Sequence, residues 1–144
     1  MDHRKEQPGA GAGAATATST DSDTGTSTPN FDHERLDVYK IAREFFVLTT
    51  PLMQRKMPRE VRDQFDRAAI SILSNIAEGA SKTAKADKQR FYEIARGSTG
   101  EAAAQLDILA IRGVIREREH EEARRLLLRV AQMLSRLCGS PRTT

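Results

Sequence analysis

The chain has 144 residues, 23 Lys or Arg against 20 Asp or Glu, and a formal net charge of +3. That length suggests one domain, and so small a basic excess permits attraction to nucleic acid without demanding it. Cys138 is the only cysteine, which excludes an intramolecular disulfide or a cysteine-based zinc site and fits a reducing, cytoplasmic setting.

From Gln7 to Asn30, eighteen of twenty-four residues are Gly, Ala, Ser or Thr, and none is Leu, Ile, Val, Met or aromatic. Such a segment cannot bury enough apolar surface to offset the entropy of ordering it. Residues 1–30 are therefore expected to form a disordered tail, 31–139 a folded domain, and 140–144 a C-terminal tail. No apolar h-region follows Arg4 and Lys5, and no Arg occurs from residue 5 to 34, so neither a secretory nor a mitochondrial leader is expected. No apolar run approaches the roughly 18–20 residues needed to span a membrane.

The first helix is predicted from about Glu34 to Thr50. Leu36, Tyr39, Ala42, Phe45 and Phe46 recur at helical spacing, Asp32 is a candidate N-cap, and Pro51 ends or loosens the helix. The second starts at Pro58, with Val61, Phe65, Ala68, Ile72 and Asn75 or Ile76 as its seam and Gly79 as a left-handed C-terminal cap. The third runs from Thr83 or Ala84 to Arg112, seamed by Phe91, Ile94 or Ala95, Ser98, Ala102, Gln105 or Leu106, and Leu109. Gly97 and Gly100 lie inside it, each costing about 1 kcal/mol relative to Ala, so close backbone approach is expected there. The fourth spans Glu117 to Cys138. Acids at its start complement the helix dipole, Leu126, Leu127, Val130, Met133, Leu134 and Leu137 lie on its stripe, and Gly139 ends it. No strand-type alternation appears. Short connections then imply an all-α, antiparallel up-down-up-down four-helix bundle.

If the second and third helices form an antiparallel hairpin turning near Ser81, facing residue numbers should sum to about 163. Arg67 and Glu101 are then candidates for an interhelical ion pair, with Ser98 between them. Asn75 and Glu78 sit near a helix C-terminus, where an acid is unfavourable. Lys82, Lys85 or a backbone N–H would offset Glu78. These polar residues either fix register and hairpin geometry or line a site or subunit contact.

Several stretches resemble a known family. Phe31, Leu36, Val38, Tyr39 and Ala42 are similar to an "F..L.VW..A" opening, with Tyr39 where Trp is usual. Arg67 to Ile72 followed by Asn75 to Gly79 resembles "RRA..SI..NIAEG", with Asp66 in place of its first Arg. Ala95 to Ser98 with Glu101 resembles "A.GS..E". These are signatures of the bacterial four-helix-bundle family of 23S rRNA intervening-sequence proteins, whose relatives include the accessory variability proteins of diversity-generating retroelements. The resemblance spans about residues 31–139. It implies a homopentamer and no enzymatic activity or cofactor. In the retroelement branch it implies binding of RNA or DNA and of the reverse transcriptase.

Other chemistry finds little support in the residues. Glu117-x-x-His120 has the spacing of a di-metal ligand pair, but such sites need two of these motifs and two further Glu. No Gly-rich phosphate loop or nucleophile elbow is present. Two basic groups are candidates for nucleic-acid contact: Lys82, Lys85, Lys88 and Arg90 around the second hairpin turn, and Arg55, Lys56, Arg59 and Arg62 around the start of the second helix. Few aromatics are free to stack on bases, so binding should be sequence-poor and salt-sensitive. The expectation is a non-enzymatic oligomeric adaptor with weak nucleic-acid binding. The alternative is a protein-interaction scaffold for an acidic partner or a reverse transcriptase.

Overall fold

The computed structural model describes residues 29–139. The expected tails, 1–30 and 140–144, lie outside the described residues except for Pro29 and Asn30, which are exposed and in no helix. Four α-helices follow in chain order: α1 (Asp37–Thr49), α2 (Arg59–Ser81), α3 (Lys85–Ile111) and α4 (Glu117–Cys138). Two 3-10 turns, Asp32–Arg35 and Pro51–Gln54, precede and follow α1. The first displaces the expected start of α1, so Leu36 rather than Asp32 is its N-cap, and no side chain caps it. At its other end the Thr49 and Thr50 hydroxyls donate back to the Phe45 and Phe46 carbonyls (2.9 and 2.7 Å), carrying the chain into Pro51.

Each helix packs on its chain neighbours, and α1 closes the ring against α4. The contacts give the directions. Ser71 meets Ser98 and Gly79 meets Tyr92, so α2 and α3 run antiparallel. Gln89 reaches Cys138 and Asp107 reaches His120, so α3 and α4 do too. Facing residues of α2 and α3 sum to about 170 rather than 163. The shift follows from α2, which runs two residues past Gly79 to Ser81 before the chain turns.

The core is the meeting of four stripes: Val38, Ala42 and Phe45; Phe65, Ala68, Ala69, Ile72 and Ile76; Tyr92, Ala95, Ala102, Leu106 and Leu109; Ala123, Leu126, Leu127, Val130 and Leu134. Val38, Ala69 and Tyr92 join the expected seams, and Tyr92 takes the buried place expected of Phe91, which is half-buried. Phe45 and Phe65 are each 1% exposed and lie tilted with ring centroids 6.0 Å apart. Burying side chains of this size is worth about 1.5–3 kcal/mol each, and an aromatic pair adds about 0.5–1.5 kcal/mol. Of the alternatives Ile94 and Ala95, Ala95 is the buried one and Ile94 is 42% exposed; Leu137 misses its expected burial, at 43% exposed.

Two glycine expectations are corrected. Gly79 is not a left-handed cap; positive φ occurs only at Gly113 and Gly139 among the described residues. It lies inside α2, where an added Cβ would stand 2.7 Å from Tyr92 Cε1 and 3.3 Å from Phe91 Cβ. The close approach expected at Gly97 and Gly100 is absent among the described residues: a Cβ at either position would meet nothing of them within 4 Å. Gly113 supplies the αL residue that ends α3, with Val114 N–H donating to the Leu109 carbonyl at 2.9 Å. Gly139 (φ 62°) ends α4 as expected.

Candidate functional site

The signature residues inside the bundle are spent on one another. Ser71 Oγ and Ser98 Oγ share a hydrogen bond of 2.6 Å across the α2–α3 seam. Asn75 Nδ2 donates to the Ser71 carbonyl and to Ser71 Oγ (2.8 and 3.0 Å), extending the link along α2. Thr99, buried at 2% exposure, donates to the Ala95 carbonyl at 2.8 Å. Among the described residues no buried side-chain nitrogen or oxygen lacks a hydrogen-bond partner. A polar layer satisfied in this way fixes register, because a slip of one turn would orphan its members.

Arg67 and Glu101 do not form the expected ion pair. They extend the edge marked by Ser71 and Ser98, four residues before one and three after the other, but at its solvent side. Both are exposed, and no pair within 4 Å joins them. At such positions the Coulomb gain is small and the entropy of holding two long side chains offsets it. Glu78 does find its partner: Lys82 Nζ lies 3.0 Å from its carboxylate.

The two basic groups separate into structural and open members. Lys88 Nζ donates to the Ala80 and Gly79 carbonyls (3.0 and 3.3 Å), satisfying the C-terminal end of α2. Lys82, besides its bond to Glu78, lies 5.4 Å from the centre of the Phe91 ring, and Arg90 lies 5.5 Å from the same ring. Lys85 and Arg90 are exposed.

At the opposite end Arg55 grips Glu119 with two bonds of 2.7 Å and donates to the Val114 carbonyl at 3.1 Å. Arg62 donates to the Met53 and Arg55 carbonyls (2.8 and 3.0 Å). These two arginines lace the α1–α2 connection to α2 and to the α3–α4 turn. Lys56 is exposed, as is Arg59, which lies 3.6 Å from Asp63. The open cations are therefore Lys85 and Arg90 at one end and Lys56 and Arg59 at the other.

Glu119 also accepts from the Arg116 backbone N–H at 2.9 Å, closing the first turn of α4. The Arg55 fork, helped by that N–H, holds its carboxyl down to about 2. The Glu117-x-x-His120 motif gathers no metal ligands; His120 Nε2 instead lies 2.8 Å from Asp107 on α3. Among the described residues no three His, Cys, Asp or Glu side chains cluster in a way that could hold a metal ion. Burial pushes the Cys138 thiol and the Tyr92 hydroxyl upward, and Cys138 serves as a packing residue at 2% exposure.

One basic surface escaped the sequence reading. Arg118, Arg125, Arg129 and Arg136 are all exposed on α4. The signal was available: from Ala123 to Cys138 the helix carries four arginines and no acid. The acids at residues 117–122 were read for the helix dipole, and the arginines beyond them were not read as a surface.

Residues 34–136 match the family model described as 23S rRNA-intervening sequence protein. No curated protein matches the chain. Among solved structures the chain is similar to a protein of unknown function from the S23 ribosomal protein family of Bacteroides thetaiotaomicron VPI-5482. That likeness has a TM-score of 0.65 at 21% identity, covers 72% of this chain and 99% of the other, and supports the fold. No described helix is long and apolar enough to cross a membrane.

Proposed function

This chain belongs to the 23S rRNA-intervening sequence protein family, and from that premise we propose that it is a non-enzymatic, oligomeric adaptor that binds nucleic acid weakly and without sequence preference. The observation that carries the proposal is the division of labour among its polar groups. Those in the interior satisfy one another. The ones left for a partner are exposed cations: Lys56, Arg59, Lys85 and Arg90, with the arginines of α4. Arg90 has one ring nearby, Phe91 at 5.5 Å, and a cationic set with so few aromatic platforms favours phosphate contact over base readout.

Self-association has its own support. Ile94, Ile108 and Ile111 on α3 and Leu128 on α4 are between 37% and 84% exposed, apolar side chains that a second copy would cover. The family resemblance implies that the assembly is a homopentamer. Five copies would repeat each cationic group around a ring, so modest phosphate contacts would add by multivalency.

Mass by light scattering tests the assembly, and a monomer would contradict it. Retention on generic RNA or DNA tests the activity. The proposal expects retention at low salt and release as salt rises; no retention at low salt would overturn it.

A further inference from the structure

The solvent ridge of α4 is a straight row of arginines. At 100° per residue Arg118, Arg125, Arg129 and Arg136 fall within about 40° of one another, with Gln132 and Glu122 each about 20° outside the row on opposite sides. They are seven, four and seven residues apart, so the row covers about 27 Å at 1.5 Å per residue. Each is exposed, and none makes a side-chain hydrogen bond or ion pair among the described residues. The nearest acids on the helix, Glu121 and Glu122, flank only its first half.

The other helices look different. On α2, exposed Arg59 has Asp63 3.6 Å away; on α1, Lys40 lies 3.9 Å from Asp37. The exposed face of α3 carries Glu93, Glu101 and Asp107 among its cations. The helix dipole accounts for Arg136 in the last turn but not for Arg125 and Arg129 in the middle, because its effect fades within a turn.

We propose that this arginine ridge is the main nucleic-acid contact of the protein, a track for the phosphate backbone of a duplex. The assignment rests on the nucleic-acid reading above and locates it on α4 rather than on the two ends of α2. The chemistry fits phosphate. Guanidinium forks bind phosphate oxygens bidentately, and they stay charged at all physiological pH values. A row of about 27 Å runs beside roughly eight base pairs at 3.4 Å per step. It contains no apolar or aromatic side chain that would anchor a protein partner. Leu128 stands off the row toward α3, in the groove with Thr99, Gly100 and Ala103.

The test is fluorescence anisotropy of the full chain on mixed-sequence RNA and DNA duplexes across a salt series. One variant combines Arg125→Gln, Arg129→Gln and Arg136→Gln. Two comparison variants combine Lys85→Gln with Arg90→Gln, and Lys56→Gln with Arg59→Gln. All substituted sites are exposed, and thermal unfolding checks the fold of each variant. The ridge variant should lose at least about tenfold in affinity at low salt, and its salt slope should shrink by about two to three units, at roughly 0.9 per phosphate. A companion with Lys at the three ridge positions should keep most of the slope. Wild-type affinity in the ridge variant, with loss in either comparison variant, would overturn the ridge and leave nucleic-acid binding standing. No duplex binding by the wild-type chain would remove both. Competition by polyglutamate as effective as by duplex would assign the ridge to an acidic protein and overturn the phosphate track.

Discussion

The ring of Tyr92 lies against the Cα of Gly79, so close that a Cβ there would stand 2.7 Å from Cε1 and 2.9 Å from Cδ1. Tyr92 is 5% exposed and has core on its other side. Overpacking of a filled core costs about 1–3 kcal/mol, and the better helix propensity of Ala returns about 1 kcal/mol at most. Gly79→Ala should therefore lower the unfolding temperature by several degrees. Combined with Tyr92→Leu, its cost should fall below additivity; equal cost in both backgrounds would show that the ring is not the obstacle.

Gly97 gives the opposite sign. It is exposed in mid-helix, and an added Cβ meets nothing within 4 Å. Gly97→Ala should raise stability by about 0.5–1 kcal/mol in the isolated bundle, measured by denaturant unfolding. A loss of stability there would mean that another copy of the chain covers this face.

The Arg55–Glu119 fork makes part of the stability pH-dependent. The Glu119 carboxyl is lowered from an ordinary value of 4.5 to about 2 by the Arg55 hydrogen bonds and the Arg116 N–H. A carboxylate depressed on folding contributes stability that is fully present above its unfolded value and is lost as pH falls through the folded one. The contribution should thus fade between about pH 4.5 and about pH 2. Unfolding temperatures of the wild type and Glu119→Gln, compared at several pH values, should differ at neutral pH and converge below that window. A gap that stays constant across the window would rule out this origin.

A double-mutant cycle separates the seam's real polar link from the expected one. Ser71→Ala and Ser98→Ala should couple by about 0.5–1.5 kcal/mol, the net worth of a hydrogen bond. Arg67→Ala and Glu101→Ala should be additive within experimental error, as exposed side chains that do not meet. The reverse pattern would restore the ion pair and remove the serine link.

The seams of α2 and α4 were legible because Phe65, Ala68, Ile72 and Ile76, and Leu126, Leu127, Val130 and Leu134, keep an unbroken helical period and are buried; Leu137, on the same apparent stripe, is 43% exposed. The structure moved features that depend on three dimensions. Gly79 reads as a cap in sequence, since Gly commonly ends helices, yet its use is to admit the ring of Tyr92 from the next helix. Arg55, Arg62 and Lys88 read as free charge, but the carbonyls they hold belong to turns whose path no local pattern reveals. The arginine ridge was legible in principle, as a spacing of seven, four and seven. The acids at the start of α4 drew the reading to the helix dipole instead.

The most direct measurement is the salt dependence of duplex binding by the full wild-type chain, with sequence-scrambled duplexes alongside. The account predicts an observed association constant that falls steeply and linearly on a log–log plot, with the same slope for every sequence. Binding that is absent at low salt, or that is insensitive to salt and selective for one sequence, would contradict it.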